Sequence, residues 1–394
     1  MAQRRKKRKV CFVITSFIHY SRNLLVLEEL KKRADVELSI VIGGTALLSK
    51  YSARYGQIRE LLQQDGFTDV YEVYFNVEGD TPTTKAKTAG LGIIEFANMF
   101  NTLRPDVVVV RGDRFEVLSA ATAAAYMNIP VAHIEGGDTS GTLDESVRHA
   151  ITKLAHLHFP TNPKAKKRLI SMGEDPAAIF EYGSPDVEMV KWALRNKGAS
   201  TDLSTTGSGA PIDISKGYIV VMYHPVWSES ADTARTAQYA RTLLQEIYSL
   251  GVQAIWFWPN FDVGAEEIAH EIRHFNDTVK DHSVRFLRYL PPREFLTLLN
   301  GAQCLVGNSS AGIKESSYLG LPVVNVGSRQ NGRTRARNVI DTPCTQEELR
   351  HALVRQIKKG RYSPSQLYSK TGTARNIARV IASHPFAIQK HFND

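Results

Sequence analysis

Four consecutive valines, Val107 to Val110, run straight into Arg111-Gly112-Asp113-Arg114. A stretch that is apolar at every position, not at alternate ones, reads as a strand covered on both faces, the kind a parallel sheet with helices on each side provides. An alanine-rich helix is predicted over Val117–Met127, and a second strand over Val131–Ile134 ends in Glu135-Gly136-Gly137-Asp138. Two neighbouring strands thereby bring Asp113 and Glu135 to the carboxyl edge of one sheet, where open α/β sheets bind ligands. Asp144, Glu145, Arg148 and His149 follow within six positions at the start of the next helix. So many ionisable groups at one edge point to acid/base chemistry.

Strand and helix alternate along the rest of the chain, the signature of a doubly wound parallel sheet. In the first half the predicted strands are Val10–Thr15, Val36–Ile42 and Val70–Phe75, with helices reaching Lys32 and spanning Leu47–Gln64 and Gly90–Leu103. The polar stretch Asn76–Thr88 reads as a loop, and Gly183-Ser184-Pro185 as a break. Lys197–Gly217, rich in Ser, Thr and Gly, is the one low-complexity segment and marks a linker or surface loop. The alternation then resumes, with Pro322–Val326 as the last clear strand before an arginine-rich polar segment. At 394 residues, two cores are expected. The chain divides into a basic disordered tail (1–9), a Rossmann-like domain (10–184), a second such domain (185–370) and a C-terminal helix (371–394) packing back on the first. The best-supported architecture is two Rossmann-like halves facing across an active-site cleft.

Composition narrows the function. Arg4 to Lys9 supply six of the 49 basic residues; without them 43 face 40 acidic ones, so the body gives little support to a nucleic-acid partner. There is no run of 18 apolar residues, hence no predicted membrane span. Cys11, Cys304 and Cys344 are scattered, without disulfide or zinc spacing, which fits a reducing cytoplasm. His133, His149, His156 and His158 form no closed ligand set with carboxylates, so no metal is expected.

The second half supplies a candidate anion site. In Gly307–Glu315 (GNSSAGIKE) a strand passes into a helix through small residues, so Ser309, Ser310 and Gly312 can hold a phosphate while Glu315 reaches ribose hydroxyls. An ordinary serine-capped helix would read the same way. Arg329 and Arg333 follow the last strand and offer planar forks suited to a diphosphate. His224 ends a strand beside Pro225, where a structural role and a role in the site weigh about equally. No Gly-Lys-Ser/Thr and no GxGxxG occurs, so neither ATP nor NAD is implied and no cofactor is expected.

The run GDRFE, HIEGGDTSGTLDESVRHAITKLAHLHF, His224-Pro225, Pro259-Asn260, GNSSAGIKE and VNVGSRQNGR closely resembles the hydrolysing UDP-N-acetylglucosamine 2-epimerases over nearly the whole chain. Bacterial sialic-acid pathway enzymes and the epimerase half of the animal bifunctional epimerase/kinase belong to that family. The resemblance implies a GT-B fold and an assembly of two or four copies. It also implies a two-step reaction. The C2 proton is removed as UDP leaves C1, and water then adds to the glycal to give a free N-acetylmannosamine-type sugar. By the same match Asp113, Glu135 and Asp144 are acid/base candidates, and His224 lies in the site. Ser309, Ser310 and Arg329 are diphosphate holders and Glu315 the ribose contact; Arg114, Arg148 and His149 join the binding set. Where the family carries Arg-Ala-Asp-Tyr, this chain reads Phe17-Ile18-His19-Tyr20. His19 or Arg22 is expected to replace the arginine, or else the sugar or nucleotide differs. UDP-2,4-diacetamido-2,4,6-trideoxyglucose is the alternative substrate. A GT-B glycosyltransferase and a nucleotide-sugar binding protein without turnover are the rival readings.

Overall fold

A computed structural model describes residues 6–48, 57–79, 81–196, 203, 206–226, 233–259 and 264–393. The chain divides into two compact units, one of Met1–Asp138, Asp144–Met189 and Ser369–Asp394, the other of Thr139–Leu143 and Val190–Tyr368.

The first unit is built on β1 (Arg8–Ile14), α1 (Phe17–Lys31), β2 (Val36–Gly43), α2 (Ile58–Gln64), β3 (Val70–Val73) and α3 (Pro82–Leu103). It continues through β4 (Val107–Arg111), α4 (Phe115–Tyr126), β5 (Val131–Ile134), α5 (Asp144–Leu154), β6 (Leu157–Phe159) and α6 (Pro163–Ser171). Its strands are all parallel and lie in the order β3-β2-β1-β4-β5-β6. All five residues of β4 are buried, because helices cover both faces of the sheet. The small side chains of Ala120, Ala121, Ala123 and Ala124 bury α4 in the same core as Val108 and Val110.

The second unit carries α7 (Pro185–Arg195, which the division crosses), β7 (Ser208–Gly209), β8 (Ile219–Met222), α8 (Thr233–Ser249), β9 (Ala254–Phe257) and α9 (Ala265–Thr278). It goes on with β10 (Val284–Leu287), α10 (Pro292–Gly301), β11 (Cys304–Gly307), α11 (Glu315–Leu319), β12 (Val323–Val326), β13 (Val339–Thr342) and α12 (Gln346–Lys359). Its sheet runs β13-β12-β11-β8-β9-β10-β7, with only β7 antiparallel. The last helix, α13 (Thr373–Ser383), belongs to the first unit and packs on α1. No helix among the described residues is long and apolar enough to cross a membrane.

Several sequence expectations are corrected. Pro82 to Thr88, read as loop, is the first part of α3. Thr81 caps it by accepting from the Thr84 backbone N–H, the Thr84 side chain returns the bond, and Pro82 occupies the first turn, where it has no N–H to waste. Pro185, read as a break, likewise opens α7. The segment after Val326 contains a further parallel strand, β13, on the sheet edge. The helix expected over Leu47–Gln64 is described only from Ile58, since residues 49–56 lie outside the described set. Arg8 and Lys9, placed in the tail by their charge, open β1. Arg8 donates to the Ile381 and His384 carbonyls (2.9 and 2.8 Å), and the Lys9 backbone N–H to Asp106 Oδ2 (2.8 Å).

Candidate active site

In each sheet the strand order reverses once, between β1 and β4 in the first unit and between β8 and β11 in the second. The carboxyl ends of those strand pairs are where an open α/β sheet leaves a crevice.

At the first of these points β4 ends in Arg111. Its Nε donates to Glu135 Oε2 at 2.9 Å, one guanidinium nitrogen to Asp186 Oδ1 at 2.5 Å and the other to Asn23 Oδ1 at 3.2 Å. The Arg111 and Asp186 side chains are 1% and 0% exposed. Burial works against the arginine's charge, but the two adjacent carboxylates outweigh it and raise its hold on the proton. Glu135 sits just past β5 in the left-handed backbone region (φ 72°), which a residue with a side chain normally avoids and which recurs at functional sites. Arg22, on α1, stands 3.6 Å from Asp186.

One residue beyond Gly112, Asp113 pairs with Arg148 of α5, and Arg148 also donates to the Asp138 carbonyl at 2.8 Å. The Arg148 side chain is 2% exposed, that of Asp113 23%, so a buried cation holds a carboxylate that still reaches solvent. Asp144 is the first residue of α5, one turn before Arg148 on the same face. His149 lies 3.8 Å from Glu145, and burial together with Arg148 lowers its pKa. Arg114 makes two 3.1 Å bonds to Glu116.

The histidines divide by task. His19 is buried, with Nδ1 3.2 Å from Thr15 Oγ1; burial first, then Arg114 and Arg111, push its pKa down to about 3, so it is neutral. His133 meets the Gly112 carbonyl at 2.8 Å and joins the ends of β4 and β5, with its pKa lowered to about 4 by burial. His158 pairs with Glu174 at 2.9 Å, and His156 meets the Ile388 carbonyl at 3.0 Å. Among the described residues no group of three or more His, Cys, Asp or Glu could hold a metal ion.

In the second unit β11 ends at Gly307, whose φ of 128° and contact with the Met222 carbonyl leave no space for a side chain. Asn308, next in line, clamps the end of β8: its Oδ1 accepts the His224 backbone N–H (2.8 Å) and its Nδ2 donates to the His224 carbonyl (2.7 Å). The Asn308 carbonyl in turn accepts from Arg329 (3.1 Å) and from Gln330 (2.8 Å). Sequence reasoning expected a helix start here. Instead Ser310–Gly312 form a 3₁₀ turn capped by Ser309 Oγ, and α11 is a separate, five-residue helix beginning at Glu315. The Gly327–Arg333 loop is also held from outside, since Thr139 Oγ1 donates to the Gly332 carbonyl (2.6 Å) and the Gly141 N–H to the Arg329 carbonyl (3.3 Å).

Of the residues singled out in the sequence, Asp113, Glu135, Asp144, Arg114, Arg148, His149, His19 and Arg22 therefore lie in the first unit. His224, Ser309, Ser310, Gly312, Glu315 and Arg329 lie in the second. Arg111, Asn23, Asp186 and Asn308 were missed. Arg111 carried a signal, a cation ending a fully apolar run. Asn308 carried another, an amide between a strand and a serine turn.

The fold matches solved epimerase structures. Against the Neisseria meningitidis UDP-GlcNAc 2-epimerase bound to UDP-GlcNAc the TM-score is 0.75 at 15% identity, covering 95% of this chain and 98% of that one. Against the Methanocaldococcus jannaschii UDP-GlcNAc 2-epimerase with UDP-GlcNAc and UDP it is 0.74 at 17% identity, covering 95% and 99%. These likenesses define the architecture as a GT-B fold of two Rossmann-like units. The family model for UDP-N-acetylglucosamine 2-epimerase matches residues 28–382, and the chain belongs to that family. It is 34% identical over 383 residues, 97% of both chains, to the Legionella pneumophila protein named UDP-N,N'-diacetylbacillosamine 2-epimerase (hydrolyzing). It is 29% identical over 382 residues, 94% of both chains, to a Neisseria meningitidis UDP-N-acetylglucosamine 2-epimerase.

Proposed function

We propose that this protein is a hydrolysing 2-epimerase. It converts a UDP-activated 2-acetamido sugar and water into UDP and the free 2-epimer. The observation that carries this reading is the pair of carboxylates at adjacent strand ends, each tied to its own arginine, Asp113 to Arg148 and Glu135 to Arg111. An arginine partner favours the ionised carboxylate, which is the form that accepts a proton. Asp113, Glu135 and Asp144 are the groups assigned to the proton at C2. One takes it while the C2–H electron pair forms the C1–C2 double bond and the C1–O bond to UDP breaks. Water then adds its hydroxyl to C1, and a proton returns to C2 from the opposite face.

Arg329, Ser309 and Ser310 are assigned to the diphosphate, Glu315 to the ribose, and His224 to the site as a whole. The hydrolysing outcome and a diacetylated amino sugar are supported by the Legionella pneumophila relative, whose name gives a hydrolysing 2-epimerase of UDP-N,N'-diacetylbacillosamine. A use in nonulosonic-acid synthesis is supported by a 29% identical Escherichia coli relative named polysialic acid biosynthesis protein P7.

The test is NMR in D₂O with UDP-GlcNAc and with UDP-2,4-diacetamido-2,4,6-trideoxyglucose supplied separately. Released UDP and a free manno-configured sugar deuterated at C2 are expected, with the diacetamido sugar turning over faster. An epimer still attached to UDP would overturn hydrolysis. UDP release that needs an acceptor and leaves C2–H unexchanged would make the protein a glycosyltransferase.

A further inference from the structure

In the reaction just described Arg111 appears only as the cation beside Glu135, yet most of its contacts lie elsewhere. Three of its nitrogens donate to protein groups brought from three other elements: Glu135 after β5, Asp186 in α7 and Asn23 in α1. Burying a guanidinium is strongly unfavourable unless carboxylates neutralise it, and removing one partner of such a set leaves the other charge stranded. Two carboxylates face Arg111, and Arg22 beside Asp186 restores the balance. The anchoring side is itself fixed. The Asp186 backbone N–H donates to Ser184 Oγ (3.2 Å), and the Asn23 amide donates to the His19 carbonyl (2.7 Å), which orients its oxygen toward Arg111. The left-handed backbone at Glu135 sets where its side chain starts, and the 2.9 Å bond from Arg111 sets where its carboxylate ends.

We propose that Arg111, anchored by Asp186 and Asn23, is a positioning residue that holds the Glu135 carboxylate ionised and in one orientation for proton transfer at C2. The inference rests on the assignment of Glu135 made above. A group acting only through Glu135 should lose its effect once Glu135 is disabled, whereas a group that merely supports the fold should not.

The experiment is a cycle of Arg111→Met, Glu135→Gln and the double variant. kcat and KM are read from UDP release, UDP binding by calorimetry, and folding by thermal melting. Glu135→Gln is expected to lower kcat by about 100-fold or more, in the range of a lost acid/base group. Arg111→Met should lower kcat by about 30-fold or more with KM and UDP affinity within about threefold, and Arg111→Lys should recover part of it. The double variant should be no slower than Glu135→Gln alone.

Multiplicative losses, or a full kcat in Arg111→Met while Glu135→Gln is inactive, would overturn the proposal and leave the assignment of Glu135 standing. Full activity in Glu135→Gln would instead remove that assignment. If Arg111→Met does not fold, Asp186→Asn replaces it in the cycle, with the same two outcomes deciding.

Discussion

The two sheets reverse strand order in the same way but finish their carboxyl edges with different chemistry. In the first unit the edge is made of full charges paired with one another: Arg111 with Glu135 and Asp186, and Arg148 with Asp113. In the second unit the contacts run through backbone groups and amides, with Asn308 tying His224 to the loop of Arg329 and Gln330, and the one cation among them, Arg329, donates to a carbonyl and not to a carboxylate. Paired charges are expensive to bury but leave carboxylates ionised, a state suited to moving protons. An amide clamp costs little to bury and fixes a loop without changing charge, which suits a site that receives an anion from outside. The same topology thus presents two different chemistries because the residues just past the strands differ.

Substitutions at the two edges should have opposite effects on turnover and on UDP binding. Asp113→Asn removes a charge at the first edge and should lower kcat by about 10²- to 10⁴-fold while UDP affinity, measured by calorimetry, stays within about threefold. Arg329→Ala at the second edge should do the reverse, weakening UDP binding by about 10- to 100-fold, the worth of one or two charge-assisted hydrogen bonds, with a smaller change in kcat. If Asp113→Asn abolished UDP binding, or Arg329→Ala left it intact, the division of labour between the two edges would be wrong.

Much of the first edge was legible in the sequence, and the reason is local. Val107–Val110 can only be a covered strand, so Asp113 had to fall just past its end, and the same logic placed Glu135 after Val131–Ile134. Arg148 stood out by its place on α5, but its bond to Asp113 spans 35 residues and its partner could not be read. The Arg111 contacts to Asp186 and Asn23 span 75 and 88 residues, beyond any pattern of spacing. At Thr81-Pro82 the local signal was present but the threonine-rich composition concealed it, since these residues serve loops and helix caps alike. β13 was hidden for another reason. Val339-Ile340-Asp341-Thr342 lies at the sheet edge and is only partly buried, so it lacks the continuous apolar run of the central strands.

A finer test uses pH, because the first edge holds titratable groups in forms that an unfolded chain would not keep. His19 and His133 have folded pKa values of about 3 and about 4, against 6.5 when exposed. The folded values are the lower ones, so between these limits the unfolded chain binds more protons, and stability falls as pH drops below 6.5. Each histidine should contribute about 1.4 kcal/mol per pH unit to that fall, until its folded pKa is reached. Urea titrations from pH 7 to pH 4.5 should therefore show a slope in the parent that His133→Gln reduces by about one proton. Parallel slopes in parent and variant would mean that His133 is already charged in the fold.

At the second edge the Asn308 clamp is built from an amide and backbone groups, none of which titrates. Asn308→Ala strands the His224 N–H and carbonyl, both in a buried setting, and should cost about 1 to 3 kcal/mol. That loss involves no proton, so the difference between Asn308→Ala and parent should be the same at pH 7.5 and pH 5, even though both proteins are less stable at pH 5. Thermal melting of the pair at the two pH values reads this directly. A difference that shrinks or grows by more than about 1 kcal/mol would mean that the clamp is coupled to a titrating group, with the His224 ring as the nearest candidate.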